Sequence, residues 1–223
     1  MAETEVCGNC GEKLKSGMFG TNAALDGQRV ATINLFSETP TESACNACGD
    51  KAYLKAYRSA VSEQRRLTAE LERDIGAVPI VSIHSPAGWE YAAVTIVTAQ
   101  STTGTGVWSD VTSAFTDLFG TQSNVYNQKL LAGEKLCMNG LRVRALAHGC
   151  NAILAADLDY AEVGGTRAML MVCMTGTAVR LDNTEVLGED VATTLRRLPD
   201  LYTRVQRLAS LGLDENIPNY AAG

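Results

Sequence analysis

The 223-residue sequence has no long apolar runs, no excess of positive charge and few histidines. No apolar stretch approaches the roughly 18 residues of a transmembrane helix, and the best runs, such as 168–173, have the length of a strand, so we predict no membrane span. A net charge of -6 and a pI of about 5.0 provide no general attraction to nucleic acid, and none is predicted as a partner.

Histidine is almost absent, with only His84 and His148, and neither lies beside a credible nucleophile. The sequence also lacks Gly-x-Ser-x-Gly and His-Glu-x-x-His, which are typical of hydrolases and zinc proteases. We therefore predict that the protein is not an enzyme. Its first six residues lack the basic start and apolar run of a signal peptide, so the predicted location is the cytoplasm.

Four cysteines near the N-terminus form two Cys-x-x-Cys pairs, Cys7 with Cys10 and Cys45 with Cys48. Gly11 and Gly49 follow the pairs, and we predict that each supplies the backbone freedom that a tight turn needs. Two thiolates converge from one tight turn in such a pair, and two pairs complete a tetrahedral zinc site. Four cysteine ligands leave no open position for water or substrate, which indicates a structural Zn²⁺ ion. A dithiol redox motif or a disulfide pair is the weaker alternative, because a redox pair usually occurs once, beside a βαβ unit.

We predict four regions along the sequence. Residues 1–50 form a four-cysteine zinc ribbon, with short strands at 17–20 and 25–30 that the metal holds together. Residues 51–78 contain one connecting helix, either an amphipathic connector or a coiled-coil stalk. Residues 79–182 form an α+β domain, and residues 183–223 form a helical tail that Pro199 interrupts or restarts.

Within the α+β domain, β-rich segments at 80–84 and 91–98 predict two strands, and 124–147 predicts a long helix. A loop at 101–106 and a helical piece at 107–119 lie between them. The segments 151–161 and 168–179 predict a β-hairpin around Gly164 and Gly165. Their nearly continuous apolar runs predict strands that are covered on both faces.

Three further groups are candidate sites, each with a plain structural explanation. The glycine-rich loop 103–106 either binds an anion or is simply a tight loop. Asp157 and Asp159 point to one face of a strand near Glu162, where they bind a hard cation, face solvent or pair with Arg167. A last set alternates along a strand and suits either a thiophilic ion or core packing: Met169, Met171 and Cys173. Cys137 and Cys150 are predicted to be buried thiols.

The central region resembles the YbjQ-like family of bacterial proteins, which carries a heavy-metal-binding label. Several segments carry the resemblance: Gly104, Phe119-Gly120 with Gln122-Ser123 and Tyr126, 145–147, 151–153, 157–164 and 169–179. It implies a dodecin-like α+β domain that assembles into a homo-oligomeric ring, typically a pentamer. Neither the four-cysteine region nor the C-terminal tail belongs to the resemblance.

The resulting hypothesis is a non-enzymatic, zinc-binding homo-oligomeric scaffold whose zinc ribbon binds another protein. One alternative is a heavy-metal-binding or metal-sensing protein with a second ion at Asp157 and Asp159 or at the sulfur set of Met169, Met171 and Cys173. Another is nucleic-acid binding through the ribbon, which the acidic balance of charge opposes.

Overall fold

A computed structural model describes residues 6–14, 22–102, 122–163 and 169–213. These residues form four helices and three strands, in the α+β class that was predicted. In sequence order the elements are α1 (Gly27–Asn34), α2 (Asn46–Asp74), β1 (Tyr91–Thr102), α3 (Gln122–Ala147), β2 (Ala152–Val163), β3 (Met169–Leu181) and α4 (Glu189–Ala209). Two short 3-10 helices, Ile75–Ala77 and Thr184–Leu187, follow α2 and precede α4.

The protein divides into two compact units. The first takes the described residues up to Glu70 together with those from Thr203 onward, and the second runs from Leu71 to Tyr202. In the first unit the side chain of Arg204 contacts the carboxylate of Glu63 at 2.6 Å. There the side-chain amide of Gln28 also donates to the carbonyl of Leu211, so the segment that follows Thr203 lies against both α1 and α2.

The strand predicted over 25–30 is wrong, because α1 occupies this segment. The side chain of Asp26 caps α1 by accepting a hydrogen bond from the backbone N–H of Arg29 at 2.9 Å. Val30 and Thr32 form the buried side of the helix. The other predicted ribbon strand, 17–20, lies outside the described residues.

The helix predicted within 51–78 is present, but it begins earlier than predicted. Helix α2 starts at Asn46, directly after Cys45, and continues to Asp74. Tyr57, Val61, Leu67 and Leu71 are buried at the intervals of one helical face. The second cysteine pair therefore belongs to a helix start rather than to a ribbon.

The second unit is built on a three-stranded antiparallel sheet with strand order β1-β3-β2. The hairpin of β2 and β3 is confirmed, while its turn at 164–168 lies outside the described residues. The pairing of β1 with β3 is irregular at Val94, and that of β2 with β3 is irregular between Leu154 and Asp157, where Ala155 has a φ of 49°.

Residues 80–84, predicted as a strand, do not form one. Only Ile80 makes a bridge, with Ile153 of β2. The N–H groups of Ala155 and Ala156 donate to the carbonyls of Ile83 and Val81, so the segment lies alongside the irregular part of β2. Because β2 bulges there, the ladder cannot extend regularly.

Helix α3 covers one face of the sheet, and two of its glycines allow a close approach. A Cβ at Gly133 would lie 2.9 Å from Cγ2 of Val172, and one at Gly140 would lie 3.0 Å from Cβ of Ala99. The Sγ of Cys137, between them, lies 3.3 Å from the carbonyl oxygen of Val172. The helix and this face of the sheet share one core cluster: Val97, Ala99, Cys137, Leu141, Ala145, Cys150, Ile153, Val172, Met174 and Ala178.

Among the described residues, those that cover the opposite face of the sheet lie at one end of it. There Ala152, Leu154, Val179 and Leu181 form a second cluster with partly buried Trp89, Tyr91 and Leu187. Burial on both faces is thus confirmed for 152–154. Farther along β3, Met171 and Cys173 are only half-buried within one protomer, so burial on both faces stays a prediction for that part of the strand, where it requires a covering partner.

Helix α4 runs without a break from Glu189 to Ala209, so the predicted interruption at Pro199 is wrong. Proline removes one backbone donor, but Pro199 is exposed, and the apolar stripe on the other side of the helix remains buried. The stripe repeats at helical spacing: Ala192, Leu195, Leu198, Leu201, Val205 and Leu208.

Candidate metal centre

The first cysteine pair lies in a tight turn that brings its sulfurs to one side. The N–H of Gly11 donates to the carbonyl of Cys7 at 2.8 Å, and the N–H of Cys7 donates to the carbonyl of Glu12 at 2.8 Å. Gly11 has a φ of 74°, a conformation that favours glycine. The role predicted for this glycine, freedom to close the turn, is confirmed.

The second pair is built differently, at the N-terminus of α2. Cys45 precedes the helix and forms a bridge with Ala24, while Cys48 lies in its first turn. Gly49 is a buried helical residue, and a Cβ there would lie 2.6 Å from Cδ1 of Leu25. The turn role predicted for this second glycine is therefore wrong, since Gly49 makes room for a neighbouring side chain.

Ser43 links the two cysteine pairs through hydrogen bonds. The N–H of Gly8 donates to the carbonyl of Ser43 at 3.1 Å and lies 3.0 Å from its hydroxyl, and that hydroxyl donates to the carbonyl of Val6 at 3.1 Å. A Cβ on Gly8 would overlap the hydroxyl of Thr41. These contacts hold the Cys7 turn against the segment that leads into Cys45.

The four Sγ atoms of Cys7, Cys10, Cys45 and Cys48 all lie within 4.8 Å of one another. Separations along three edges are 3.6 Å for Cys7 to Cys48, 3.8 Å for Cys10 to Cys45 and 3.4 Å for Cys45 to Cys48. A metal ion with four thiolates at about 2.3 Å has sulfur atoms about 3.8 Å apart. The cluster therefore fits one tetrahedral ion, and all four cysteines are free of disulfides.

Backbone and side-chain N–H groups point at the sulfurs. The N–H of Cys45 donates to Sγ of Cys7 at 3.2 Å, and the side-chain amide of Asn9 donates to Sγ of Cys48 at 3.1 Å. The N-terminus of α2 adds a partial positive charge beside Cys45 and Cys48. All of these interactions stabilise negative sulfur.

The thiols do not ionise equally without a cation. Burial raises the pKa of Cys7, but the N–H groups of Cys10, Asn9 and Cys45 outweigh it and lower that pKa to about 6. The N–H of Glu12 lowers the pKa of Cys10, yet the hydrogen bond with Cys7 and burial raise it to about 12. Burial also raises the pKa of Cys48. A cation bound by the four cysteines would supply the charge that lets all four sulfurs be thiolates.

A family model described as "Putative heavy-metal-binding", YbjQ, matches residues 78–182. A UPF0145 protein of Carboxydothermus hydrogenoformans is 37% identical over 87 residues, which cover 39% of this chain and 79% of the relative. The chain belongs to the YbjQ family. A UPF0145 protein of Listeria grayi is also 37% identical, over 84 residues that cover 38% of this chain and 79% of the relative.

A solved structure from Pediococcus pentosaceus, a protein of unknown function in the DUF74 family, matches with a TM-score of 0.30 and 18% sequence identity. The match covers 46% of this chain and 96% of the other. The YbjQ match does not include the cysteine cluster, which lies N-terminal to it.

Among the described residues, the four-cysteine cluster is the one group of His, Cys, Asp or Glu side chains whose geometry could hold a metal. Asp157 and Asp159 are exposed, and each accepts a hydrogen bond from the next backbone N–H. The side chains of Glu162 and Met169 lie outside the described set, as do Arg167 and the loop 103–106.

The remaining predicted residues belong to other segments of the sequence than the four-cysteine cluster. His84 and His148 are exposed, and Cys137 and Cys150 are buried as predicted. No helix among the described residues is long and apolar enough to cross a membrane.

Sequence reasoning missed Asn9 and Ser43. Both are signalled in retrospect by position, since Asn9 stands between the first two cysteines and Ser43 lies two residues before the second pair. Residues this close to a metal ligand often orient it or donate to it.

Proposed function

We propose that Cys7, Cys10, Cys45 and Cys48 bind one structural zinc ion, and that the protein is a non-enzymatic homo-oligomeric scaffold. The observation that carries the metal proposal is the set of sulfur separations, 3.4 to 3.8 Å along three edges. Zinc is preferred because four thiolates in a tetrahedron are a typical structural zinc sphere. With four protein donors the ion keeps no position for substrate, which supports structure over catalysis.

Zinc would stabilise a segment that buries little apolar surface. Among the described residues from 6 to 50, the buried apolar ones are Val30, Ala44, Cys7 and Cys45. A cross-link through metal between the Cys7 turn and the start of α2 would supply the missing free energy, of order 10 kcal/mol in isolated zinc fingers. The remainder of the protein has its own core.

Self-association through the YbjQ domain is the second part of the proposal, as a ring that is typically a pentamer. The support is an apolar surface on edge strand β1, where Ile96 is 73% exposed and Val94 is 46% exposed. Apolar side chains on an edge strand favour contact with another protomer. The ring would then present several zinc modules at once, which raises their effective concentration for a protein partner.

The proposed setting is the reducing cytoplasm, which keeps thiolates available for zinc. All seven cysteines are free of disulfides, in keeping with that setting. The partner is proposed to be a protein rather than nucleic acid, since the net charge of -6 opposes binding to phosphates.

Native mass spectrometry of the full-length protein, with and without a zinc chelator, tests both parts. We expect one zinc ion per protomer in a homo-oligomer, and an oligomer that survives chelation because the YbjQ domain assembles by itself. Metal-free protein as purified would overturn the zinc site, and a monomer would overturn the scaffold. A second bound ion, lost on Asp157→Asn or Cys173→Ser, would favour the metal-sensing alternative.

A further inference from the structure

The four cysteines of the cluster differ in their exposure to solvent. Cys7 and Cys45 are buried, and Cys48 is half-buried beneath the hydrogen bond from the Asn9 amide. Cys10 is exposed. A small oxidant can therefore reach one ligand of the proposed metal without unfolding the site, because oxidation of a cysteine follows its exposure and thiolate character.

We propose that Cys10 is a modification site for hydroperoxides, and that its oxidation releases the metal ion. The inference rests on the proposed zinc site, since metal coordination holds Cys10 as a thiolate. The inference goes beyond a structural role for the ion. If it holds, the stability of the N-terminal module, the region around the cysteine cluster predicted over residues 1–50, depends on the level of peroxide.

The chemistry requires the cluster and a peroxide. The Cys10 thiolate attacks one oxygen of the peroxide, the O–O bond breaks, hydroxide leaves from hydrogen peroxide or an alkoxide from an organic hydroperoxide, and Cys10 becomes a sulfenic acid. A neighbouring thiolate then attacks Sγ of Cys10, forms an S–S bond and displaces hydroxide. Two sulfurs are oxidised and one peroxide is reduced.

The neighbours needed for the second step are already in place. Sγ of Cys45 lies 3.8 Å from that of Cys10, and all four sulfurs lie within 4.8 Å of one another. After the S–S bond forms, two thiolates remain, which is too few for a tetrahedral site. A dithiol reductant restores the ligands, so the change is reversible.

The test uses the full-length protein loaded with zinc, hydrogen peroxide as the oxidant and a chromogenic zinc chelator as the reporter. We expect peroxide to release the bound zinc and dithiothreitol followed by zinc to restore it. Peptide mapping by mass spectrometry of the oxidised wild-type protein should find Cys10 in the new disulfide. A disulfide that excludes Cys10, such as Cys45 with Cys48, would overturn the proposal.

Two matched variants separate Cys10 from the other ligands. Cys10→His keeps a donor that zinc accepts but cannot form a disulfide, so we expect zinc release about tenfold or more slower than in the wild type. Cys48→His makes the same change at a less exposed ligand and keeps both Cys10 and Cys45, so peroxide should release its zinc faster than that of Cys10→His. Equal rates in the wild type and Cys10→His would contradict the assignment.

The failures of the two proposals are distinguishable. Zinc content is measured before peroxide is added, so a protein without zinc overturns the metal site itself. A protein that contains zinc but keeps it, and keeps four free thiols in the cluster, under peroxide overturns the modification site alone. Mapping of the wild-type disulfide decides the role of Cys10 whatever the metal content of the variants.

Discussion

The side-chain amide of Asn9 donates a hydrogen bond to Sγ of Cys48 at 3.1 Å, across the two cysteine pairs. It joins the turn of the first pair to the helix of the second. A donor of this kind stabilises a thiolate and fixes its direction toward the metal. The contact makes Asn9 part of the candidate metal centre, although it is not one of the four cysteines of the cluster.

Replacement of Asn9 by Asp should weaken zinc binding, because a carboxylate would repel the sulfur that the amide stabilises. We expect a loss of affinity of about 10-fold, the lower end of the range for residues that support metal ligands. Competition with a chromogenic chelator measures it. The control is Asn127→Asp, the same change at an exposed position of α3, which should leave the affinity unaltered.

Removal of zinc should unfold the N-terminal module and spare the sheet. Hydrogen exchange followed by mass spectrometry should show that chelation, or Cys45→Ser, removes the protection of α1 and of the first turns of α2, while β2 and β3 keep theirs. The control is Cys150→Ala, a buried thiol outside the cluster, which should leave exchange of the module unchanged. Protection of α1 that persists after complete zinc removal would contradict a structural role for the ion.

A leucine at Gly133 should destabilise the second unit. A Cβ at this position already approaches Cγ2 of Val172 to 2.9 Å, so a larger side chain must push α3 away from the sheet. The expected loss is about 1 to 3 kcal/mol in the free energy of unfolding. Urea denaturation checks it, with Lys135→Leu on the exposed side of the same helix as the control. A Gly133→Leu variant as stable as this control would show that the helix does not depend on the close approach.

The cysteine cluster was predictable because its information is local. The Cys-x-x-Cys spacing places two sulfurs together in either a turn or a helix start, so the prediction of a cluster did not depend on which one is present. The local backbone was harder to predict. The sequence Asp26-Gly27 indicates a turn between strands, but Asp26 caps helix α1. The position of Gly49 after a cysteine pair indicates a turn, but Gly49 packs against Leu25.

Helix α3 and the three strands were predictable from their apolar patterns, which report whether one face is buried. The order β1-β3-β2 was not, since it depends on pairing between residues far apart, such as Tyr91 with Leu181. The segment 80–84 has the composition of a strand. The bulge in β2, where Ala155 adopts a positive φ, prevents a regular ladder, and nothing in the sequence of 80–84 indicates that bulge.

Asp74 should make stability depend on pH. The hydrogen bond from Arg73 and the charge of Arg197 lower the pKa of its carboxyl against the opposing effect of burial. A carboxylate with a lowered folded-state pKa stabilises the fold above its unfolded pKa, about 3.9, and the stabilisation is lost as pH falls through the folded-state value.

Asp74→Asn should therefore cost about 1 kcal/mol at pH 7 and progressively less below about pH 4. Thermal unfolding across this range measures the difference from the wild type. Asp200→Asn, the same change at an exposed position of α4, is the control, and its loss of stability at pH 7 should be smaller than that of Asp74→Asn. If the stability difference between Asp74→Asn and the wild type stays constant from pH 7 to the acid limit, the ion pairs of Asp74 contribute nothing to the stability of the fold.

A charge at Ile96 should prevent self-association of the YbjQ domain. Ile96 is 73% exposed in the single protomer and lies on edge strand β1, opposite Thr177 of β3. If a second protomer covers this surface, Ile96→Glu buries an unpaired carboxylate, which costs several kcal/mol and favours the monomer. The monomer itself should fold, because the side chain is exposed there.

Native mass spectrometry measures the oligomeric state of the variant, and circular dichroism measures whether it is folded. Val186→Glu places the same charge at an exposed apolar residue in a short 3-10 helix, and it should leave the oligomer intact. An Ile96→Glu oligomer of wild-type size would exclude this part of β1 from the interface.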